Sequence, residues 1–545
     1  MPTNLTFRQQ LRTFPHTFWV ANTMELIERL AYFGVRAVVG LYIMDAAALG
    51  GLELTHIQRG TIFTVWALFQ TLLPMFTGAY SDRYGYKISL LIAFTLNTTA
   101  YILMGISKSY IPFFASTLLL ATGTAIFKPP LHGTLAHTVR EENSSVGWGM
   151  FYMLVNIGGF LGPFIAGMTR VIAWEYVFFA SAAISALNFI PTLFFLKDYS
   201  AEVRRAKGGE PQAGPVETFV NGITTLVRDG RFVVFLLIFS GFWLMFMQLF
   251  DTLPIYIEDW VNTTDEADWL AANISIQALN TIGWIATALF AAATLWAVLA
   301  RKGVTAYMLG LGALVAFTLK LGLSQVVESA TVEEVIKPEF MVNIDAGAIV
   351  FLVLAVSMVT GKMKPIVAMI VGMAISTAGI LFCGITMTGW LVAVAIFVFA
   401  IGEMACSPKF SEYIGLMAPP EKKAIYMGYS NIPFAIGWTL AGALSGALYA
   451  VYSDKYRFAR EYLVERLGVD PAVAQNLDKL EVMPTLAGLL GTDVSGATRV
   501  LWELYDPWIM WVIFAAIGAA ATLAMVGYHF WLEAEQKKRA PVIQT

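Results

Sequence analysis

Glu25-Leu26-Ile27-Glu28-Arg29-Leu30-Ala31-Tyr32-Phe33-Gly34-Val35-Arg36 lies inside an apolar run from Phe18 to about Ala47. A run of that length crosses a bilayer as a helix. Residues three and four apart are neighbours on a helix, so Glu25, Glu28, Arg29, Tyr32 and Arg36 share one stripe. Leu26, Ile27, Leu30, Val38 and Leu41 take the opposite face, which suits lipid or packed helices. Each Asp, Lys or Arg at the centre of a membrane helix costs about 3 kcal/mol on insertion scales. Two explanations compete: an ion-pair cluster that locks the helix, or a charged substrate or proton site facing a water-filled cavity. A buried pair is often no more stable than apolar residues of the same shape, which favours the second.

The surrounding chain has the composition of a membrane protein. Of 545 residues, 57% are hydrophobic and only 13% are charged, about half the charged share of a soluble domain. This is an all-α polytopic membrane protein. A net charge of −3 implies no nucleic-acid partner. The two cysteines, Cys383 and Cys406, fall in expected spans, so no disulfide framework is available. Residues 1–16 are polar, carry Arg8 and Arg12 and lack a cleavable signal pattern; they read as a cytosolic tail.

Apolar runs predict spans at roughly 17–46, 57–81, 86–106, 110–136, 146–168 and 172–196. A polar stretch with Arg204, Arg205 and Lys207 follows, in which 216–227 has the pattern of a surface-lying helix. Further runs lie near 231–261, 276–300, 304–323, 343–362, 364–386, 388–416, 424–451 and 508–532, about fourteen in all. Basic residues at Arg83 and Lys87, Arg140, 204–207, Arg301-Lys302, Lys362 and Lys364, Lys422-Lys423 and 537–539 alternate with loops poor in Lys and Arg. The positive-inside rule then puts both termini in the cytoplasm of a cell with the protein in its inner membrane. The expected organisation is a six-helix bundle over 1–196, a cytoplasmic linker over 197–230 and a second six-helix bundle over 231–545. The second bundle carries an inserted helix pair at about 276–323 and an extracytoplasmic helical loop at about 452–506, patterned as helices over 458–467 and 472–480.

Gly78-Ala79-Tyr80-Ser81-Asp82-Arg83-Tyr84-Gly85-Tyr86-Lys87 joins the second and third spans. Its glycines allow a tight turn, and on spacing alone it reads as a turn with positive-inside charges. The pattern Gly-x-x-x-Asp-Arg-x-Gly-x-Lys resembles the signature loop of the major facilitator superfamily, and the resemblance implies a cytoplasmic gate formed by Gly78, Asp82, Arg83 and Lys87.

Four further patterns narrow the resemblance. They are Glu25-x-x-Glu28-Arg29 followed by Tyr32, Gly34 and Arg36; Phe127-Lys128-Pro129-Pro130; Phe151 to Pro163 with Asn156, Gly158 and Gly159; and Gly402-Glu403-Met404-Ala405-Cys406-Ser407-Pro408. In this order, spread over most of the chain, they are similar to the proton-dependent oligopeptide transporter family. Each also reads on its own. Pro129 and Pro130 free carbonyls in mid-membrane, which water or protein must satisfy. Lys128 lies too deep in its span to snorkel readily. The amide of Asn156 either faces a cavity or bonds a neighbouring helix. Glu403, Ser407 and Ser411 share a face at spacings of four.

The resemblance assigns proton coupling to Glu25 and Glu28, with Lys128 bridging one of them. It assigns substrate contact to Arg29, Tyr32, Arg36, Lys128, Asn156, Trp243, Gln248, Asn343, Glu403 and Ser407. Glu403 would take a peptide's amino terminus and Arg29, Arg36 and Lys128 its carboxylate. Two departures stand out. Met247 occupies the place where the family has an acidic residue, and Asp251, one turn on, is the candidate to replace it as a proton site. Met427-Gly428-Tyr429-Ser430 lacks a tryptophan, which implies a wider or wetter side-chain pocket. Asn280 competes with Asn343, and Gly361-Lys362 and Gly372 downstream favour Asn343.

The function expected is a proton-coupled symporter importing di- and tripeptides by alternating access. The alternative is the same fold moving another carboxylated or peptide-like solute, or exporting one. The driving force is the proton gradient and no cofactor is expected; the partners are short peptides, protons and the lipid bilayer, with a monomer as the functional unit. The five histidines, His132 and His137 among them, show no metal spacing. No nucleophile–base constellation marks an enzyme, so no catalytic residue is assigned.

Overall fold

A computed structural model describes residues 7–140, 143–200, 202, 224, 229–418, 426 and 429–539. The first half comprises a short α1 (Phe7–Thr13), α2 (His16–Met44), α3 (His56–Leu72) continued by α4 (Pro74–Tyr84), α5 (Tyr86–Ile106), α6 (Tyr110–Thr138), α7 (Ser144–Arg170) and α8 (Trp174–Leu187) continued by α9 (Phe189–Phe194). One broken span opens the second half as α10 (Gly230–Phe246), α11 (Gln248–Asp251) and α12 (Leu253–Trp260). After α13 (Thr264–Asn273) come the long hairpin α14 (Ile276–Leu299) and α15 (Gly303–Val332), then α16 (Pro338–Thr360), α17 (Pro365–Gly384), α18 (Gly389–Met417) and α19 (Asn431–Tyr452). A cap of four helices, α20 (Lys455–Glu465), α21 (Pro471–Asn476), α22 (Lys479–Leu490) and α23 (Val494–Tyr505), precedes α24 (Ile509–Arg539). The basic cluster at 204–207, the surface helix expected over 216–227 apart from Thr224, Lys422-Lys423 and Met427-Gly428 lie outside the described residues.

Among the described residues thirteen helices are long and apolar enough to cross a membrane. α2 is not one of them, because any central stretch of it includes three of Glu25, Glu28, Arg29 and Arg36. It crosses nonetheless, shielded by protein: residues on every side of it are buried, including Leu26, Leu30, Val38 and Leu41. Ile27 on that face is half-buried, so the face expected to suit lipid or helices packs against helices over most of its length.

Local chemistry accounts for several of the boundaries. Thr55 and Gln58 form a reciprocal capping box at the start of α3. Asp454, Asp470, Asp478 and Asp493 each accept a backbone N–H at the first turn of a cap helix. Asp478 is what divides the helix expected over 472–480 into α21 and α22. Pro338 in the first turn of α16, where its missing N–H costs nothing, starts that helix ahead of the expected 343. Pro254 likewise restarts the seventh span as α12 after Thr252 leaves helical geometry, and the break leaves Asp251 at the end of α11.

The cap sits beside the Met44 end of α2 and the His56 end of α3: Lys479 Nζ donates to Met44 O, and His56 Nε2 lies 3.9 Å from Asp454 Oδ2. The halves meet on the cap side. There α3 packs on α19, α7 on α16 and α2 on α12. A Cβ on Gly60 would stand 2.8 Å from both Gly442 O and Gly446 Cα, so only glycines let α3 and α19 come so close. The opposite mouth is left to exposed Trp148, Tyr152 and Met153 at the start of α7.

Candidate functional site

A cavity of about 650 Å³ lies between the halves, within the range of small-molecule sites. α2, α3, α6 and α7 line it from the first half, and α10, α16, α18 and α19 from the second. α2 and α7 form the central seam. A Cβ on Gly158 would meet Arg29 Cβ at 2.7 Å, and one on Gly162 would meet Gly34 N at 2.7 Å, so the seam holds the α2 stripe at a fixed depth.

Glu25 and Glu28 are buried behind that wall, and their cations face the cavity. Arg29 Nε lies 3.4 Å from Glu25 Oε1, and the Arg29 guanidinium also donates to the Glu28 carboxylate. Lys128 Nζ lies 3.5 Å from Glu25 Oε1. Glu25 is thus shared by two cations from two helices. The helix survives the proline pair beside Lys128 because Thr77 Oγ1 donates to Ala125 O at 2.9 Å, the carbonyl that Pro129 leaves without an N–H.

Tyr32 lies under the Arg29 guanidinium, 4.8 Å from centroid to Cζ, and shares a hydrogen bond of 3.1 Å with Gln70. Gln70 Oε1 also accepts from Trp66 Nε1 at 2.8 Å. Asn156 lines the cavity while its amide donates to Tyr152 O on its own helix at 2.8 Å. Asn343 lines it too, and donates to Phe160 O across the halves at 2.9 Å. His132 faces the cavity below Lys128, whereas His137 stacks on Tyr199 at the far end of α6.

Arg36 and Asp251 find each other. Their ion pair is buried, joins α2 to α11 and sits where the halves close; Arg36 also lies 4.7 Å over Phe63. Arg59, fully buried, donates to Asp251 O and to Ser445 O, tying α3 to both α11 and α19. A second cross-half link, Arg170 Nη1 to Glu339 Oε2 at 2.8 Å, closes the same side, with Glu258 at 3.7 Å. Asp251, the substitute expected for the acidic group missing at Met247, therefore faces Arg36 and stands outside the cavity wall, while the Met247 thioether lines it.

Gln248 also leaves the wall. Its amide donates to Leu244 O at 3.1 Å and its Oε1 accepts from Thr252, which holds the broken span together. Trp243 lines the cavity against Phe434, with ring centroids 4.2 Å apart. Trp438, two turns along α19 from Ser430, supplies an indole to that wall. Glu403 lines the cavity from α18; Ser407, one turn on, does not. At the expected gate, Asp82 accepts from Tyr86 Oη at 2.9 Å, Lys87 Nζ donates to Leu193 O at 2.7 Å, Arg83 lies over Tyr84, and a Cβ on Gly78 would meet Pro129 at 3.6 Å.

Arg59, Arg170, Glu339 and Asp345 were not singled out from the sequence. Each is an ionic residue within or at the end of a span, so the cost argument applied to α2 reaches them as well. No group of three or more His, Cys, Asp or Glu among the described residues is arranged to hold a metal ion.

Two helical bundles closing over one central, ion-lined cavity define a polytopic membrane transporter. The chain belongs to the Major Facilitator Superfamily, whose model matches residues 26–336. It is 24% identical over 247 residues to the Multidrug resistance protein MdtH of Edwardsiella ictaluri; the match takes in 45% of this chain and spans only 58% of that relative's length. Among solved structures it is similar to a peptide transporter POT in complex with sulfate, at a TM-score of 0.56 and 14% identity, covering 96% of this chain and 100% of that one. It is likewise similar to the nucleoside transporter NupG, at a TM-score of 0.57 and 12% identity, covering 94% of this chain and 99% of that one. At these identities the structural likeness is one of fold.

Proposed function

We propose that the protein is a proton-coupled symporter of short peptides, with both termini cytoplasmic and the cap outside. The observation that carries this reading is the charge polarity of the cavity. Arg29 and Lys128 present cations from the first half, and Glu403 presents a carboxylate from the second. A short zwitterion laid between them forms charge-assisted hydrogen bonds at both ends.

Coupling follows from the pairing. Ionised Glu25 and Glu28 hold Lys128 and Arg29. Protons on the glutamates, with a substrate carboxylate arriving, let the cations turn to the substrate. On the cap side a proton on Asp251 releases Arg36, loosening the contact that shuts the cavity from outside.

The test is uptake of labelled di-alanine into proteoliposomes with an imposed pH gradient. Accumulation that follows the gradient is expected, and Glu28→Gln should keep counterflow while losing accumulation. Uptake by the intact protein that ignores the gradient would overturn the coupling.

A second reading, export of drug-like solutes, is favoured by the likeness to a multidrug resistance protein and by Met247 in the cavity wall. Efflux of a lipophilic cation from vesicles, with no peptide uptake, would establish it.

A further inference from the structure

Asp345, on α16, makes no ion pair among the described residues, and its Oδ1 has no hydrogen-bond partner there. It is 3% exposed and lines the cavity. Glu403, on α18, which packs against α16, lines the same cavity, and its Oε2 is likewise buried and unbonded. The cavity's basic residues, Arg29, Arg36, Lys128 and His132, all come from the first half. Three of these are already engaged by Glu25, Glu28 and Asp251. Apart from Glu339, which Arg170 holds, the second half thus offers the cavity two unpaired carboxylates and no cation. Buried charges in proteins are paired, and two unpaired ones aimed into a cavity call for a positive occupant.

The wall beside them points the same way by different chemistry. Trp243, Phe246, Phe434 and Trp438 line this end, with centroids 4.7 Å apart for Trp243 and Phe246 and 5.4 Å for Phe434 and Trp438. Aromatic faces attract ammonium groups, most strongly where water is excluded. Trp243 is only 5% exposed and its Nε1–H has no acceptor among the described residues, which suits a carbonyl oxygen on the occupant.

We propose that Asp345 and Glu403, with the Trp243–Phe434–Trp438 wall, form a site for organic cations carrying two positive groups at one end. Resting on the peptide reading, the ligand is a peptide whose amino terminus lies on Glu403 and whose basic first side chain lies on Asp345. The aromatic wall covers the methylene stem between the two ammonium groups.

The experiment measures tryptophan fluorescence and thermal shift of the full-length protein in detergent at neutral pH, with Lys-Ala, Ala-Ala, Ala-Lys and 1,5-diaminopentane as probes. Lys-Ala should bind roughly tenfold more tightly than Ala-Ala, the size of one added charge-assisted contact. Ala-Lys should show no such gain. In Asp345→Asn the ratio of Lys-Ala to Ala-Ala affinity should fall to about one, and Asp345→Glu should restore it, which separates charge from folding. A wild-type ratio near one, or an undiminished ratio in Asp345→Asn, would overturn the proposal. If diaminopentane binds and no dipeptide does, the cation site stands and the peptide reading falls. If Ala-Ala binds but the ratio ignores position 345, the reading stands and the proposal falls.

Discussion

Arg36 and Asp251 form an ion pair away from water, with Arg59 anchoring the backbone of one partner. Removing one member of such a pair strands a charge and typically costs about 3–5 kcal/mol, whereas removing both costs less. Arg36→Ala and Asp251→Ala should each lower the melting temperature sharply in detergent, and the double variant should lose clearly less than their sum. Additivity to within about 0.5 kcal/mol would show the two residues to be uncoupled. Residues of this kind were partly legible in the sequence. Glu25, Glu28 and Arg29 stood out because helical spacing puts them on one stripe of a single span, and a stripe can be read without knowing any other helix. Asp251 pairs with a residue 215 positions away, a distance in sequence that no periodicity reports. Asp345 carried the signal of an acid within a span, but Glu403, the cavity's other unpaired acid, is on a different helix. Trp438, two turns beyond Ser430, lines the cavity although no motif pointed to it, because lining depends on depth and a motif reports only spacing.

At the scale of elements, the crossing of α3 and α19 is the tightest place in the closed side. A Cβ on Gly446 would stand 2.5 Å from His56 O, and one on Gly442 would stand 2.5 Å from Thr64 N. Backbone cannot yield as a flexible side chain does, so larger residues must separate the helices, at a cost of about 1–3 kcal/mol. Gly446→Leu should therefore raise the labelling of a Thr64→Cys reporter by a maleimide added on the cap side; labelling at the parental rate would show that the crossing does not close the path. Span existence and order were readable from apolar run length alone. Breaks were less so, since Pro254 and Thr252 divide a span whose hydropathy is continuous. The four aspartate caps of the outer helices each occupy a position that a sequence reading can recognise only after the helix start is known.

In the whole molecule, the halves are joined on the cap side and part around the cavity toward the termini. Phe160 and Gly347 face each other across the join, a Cβ on Gly347 lying 3.0 Å from the Phe160 ring. A disulfide between Phe160→Cys and Gly347→Cys should stop transport, and reduction should restore it. Transport that persists in the cross-linked protein would rule out separation of the halves there. The hairpin α14–α15 adds a further property. It is scarcely covered by protein, only 6% and 17% buried over its apolar stretches. Besides contacting α13, its α15 packs on the first half: Thr23 donates to Tyr307 Oη at 2.9 Å, the Trp19 ring lies 5.0 Å from that of Tyr307, and α15 lies along α7 with Gly322 against Phe164. Encoded between α12 and α16, it leaves its own half, follows the other and returns. In the alternating-access reading proposed above, the covalent chain acts as a tether strung across the seam. Its slack, set by α13 on one side and residues 333–337 on the other, limits how far the two bundles can tilt apart.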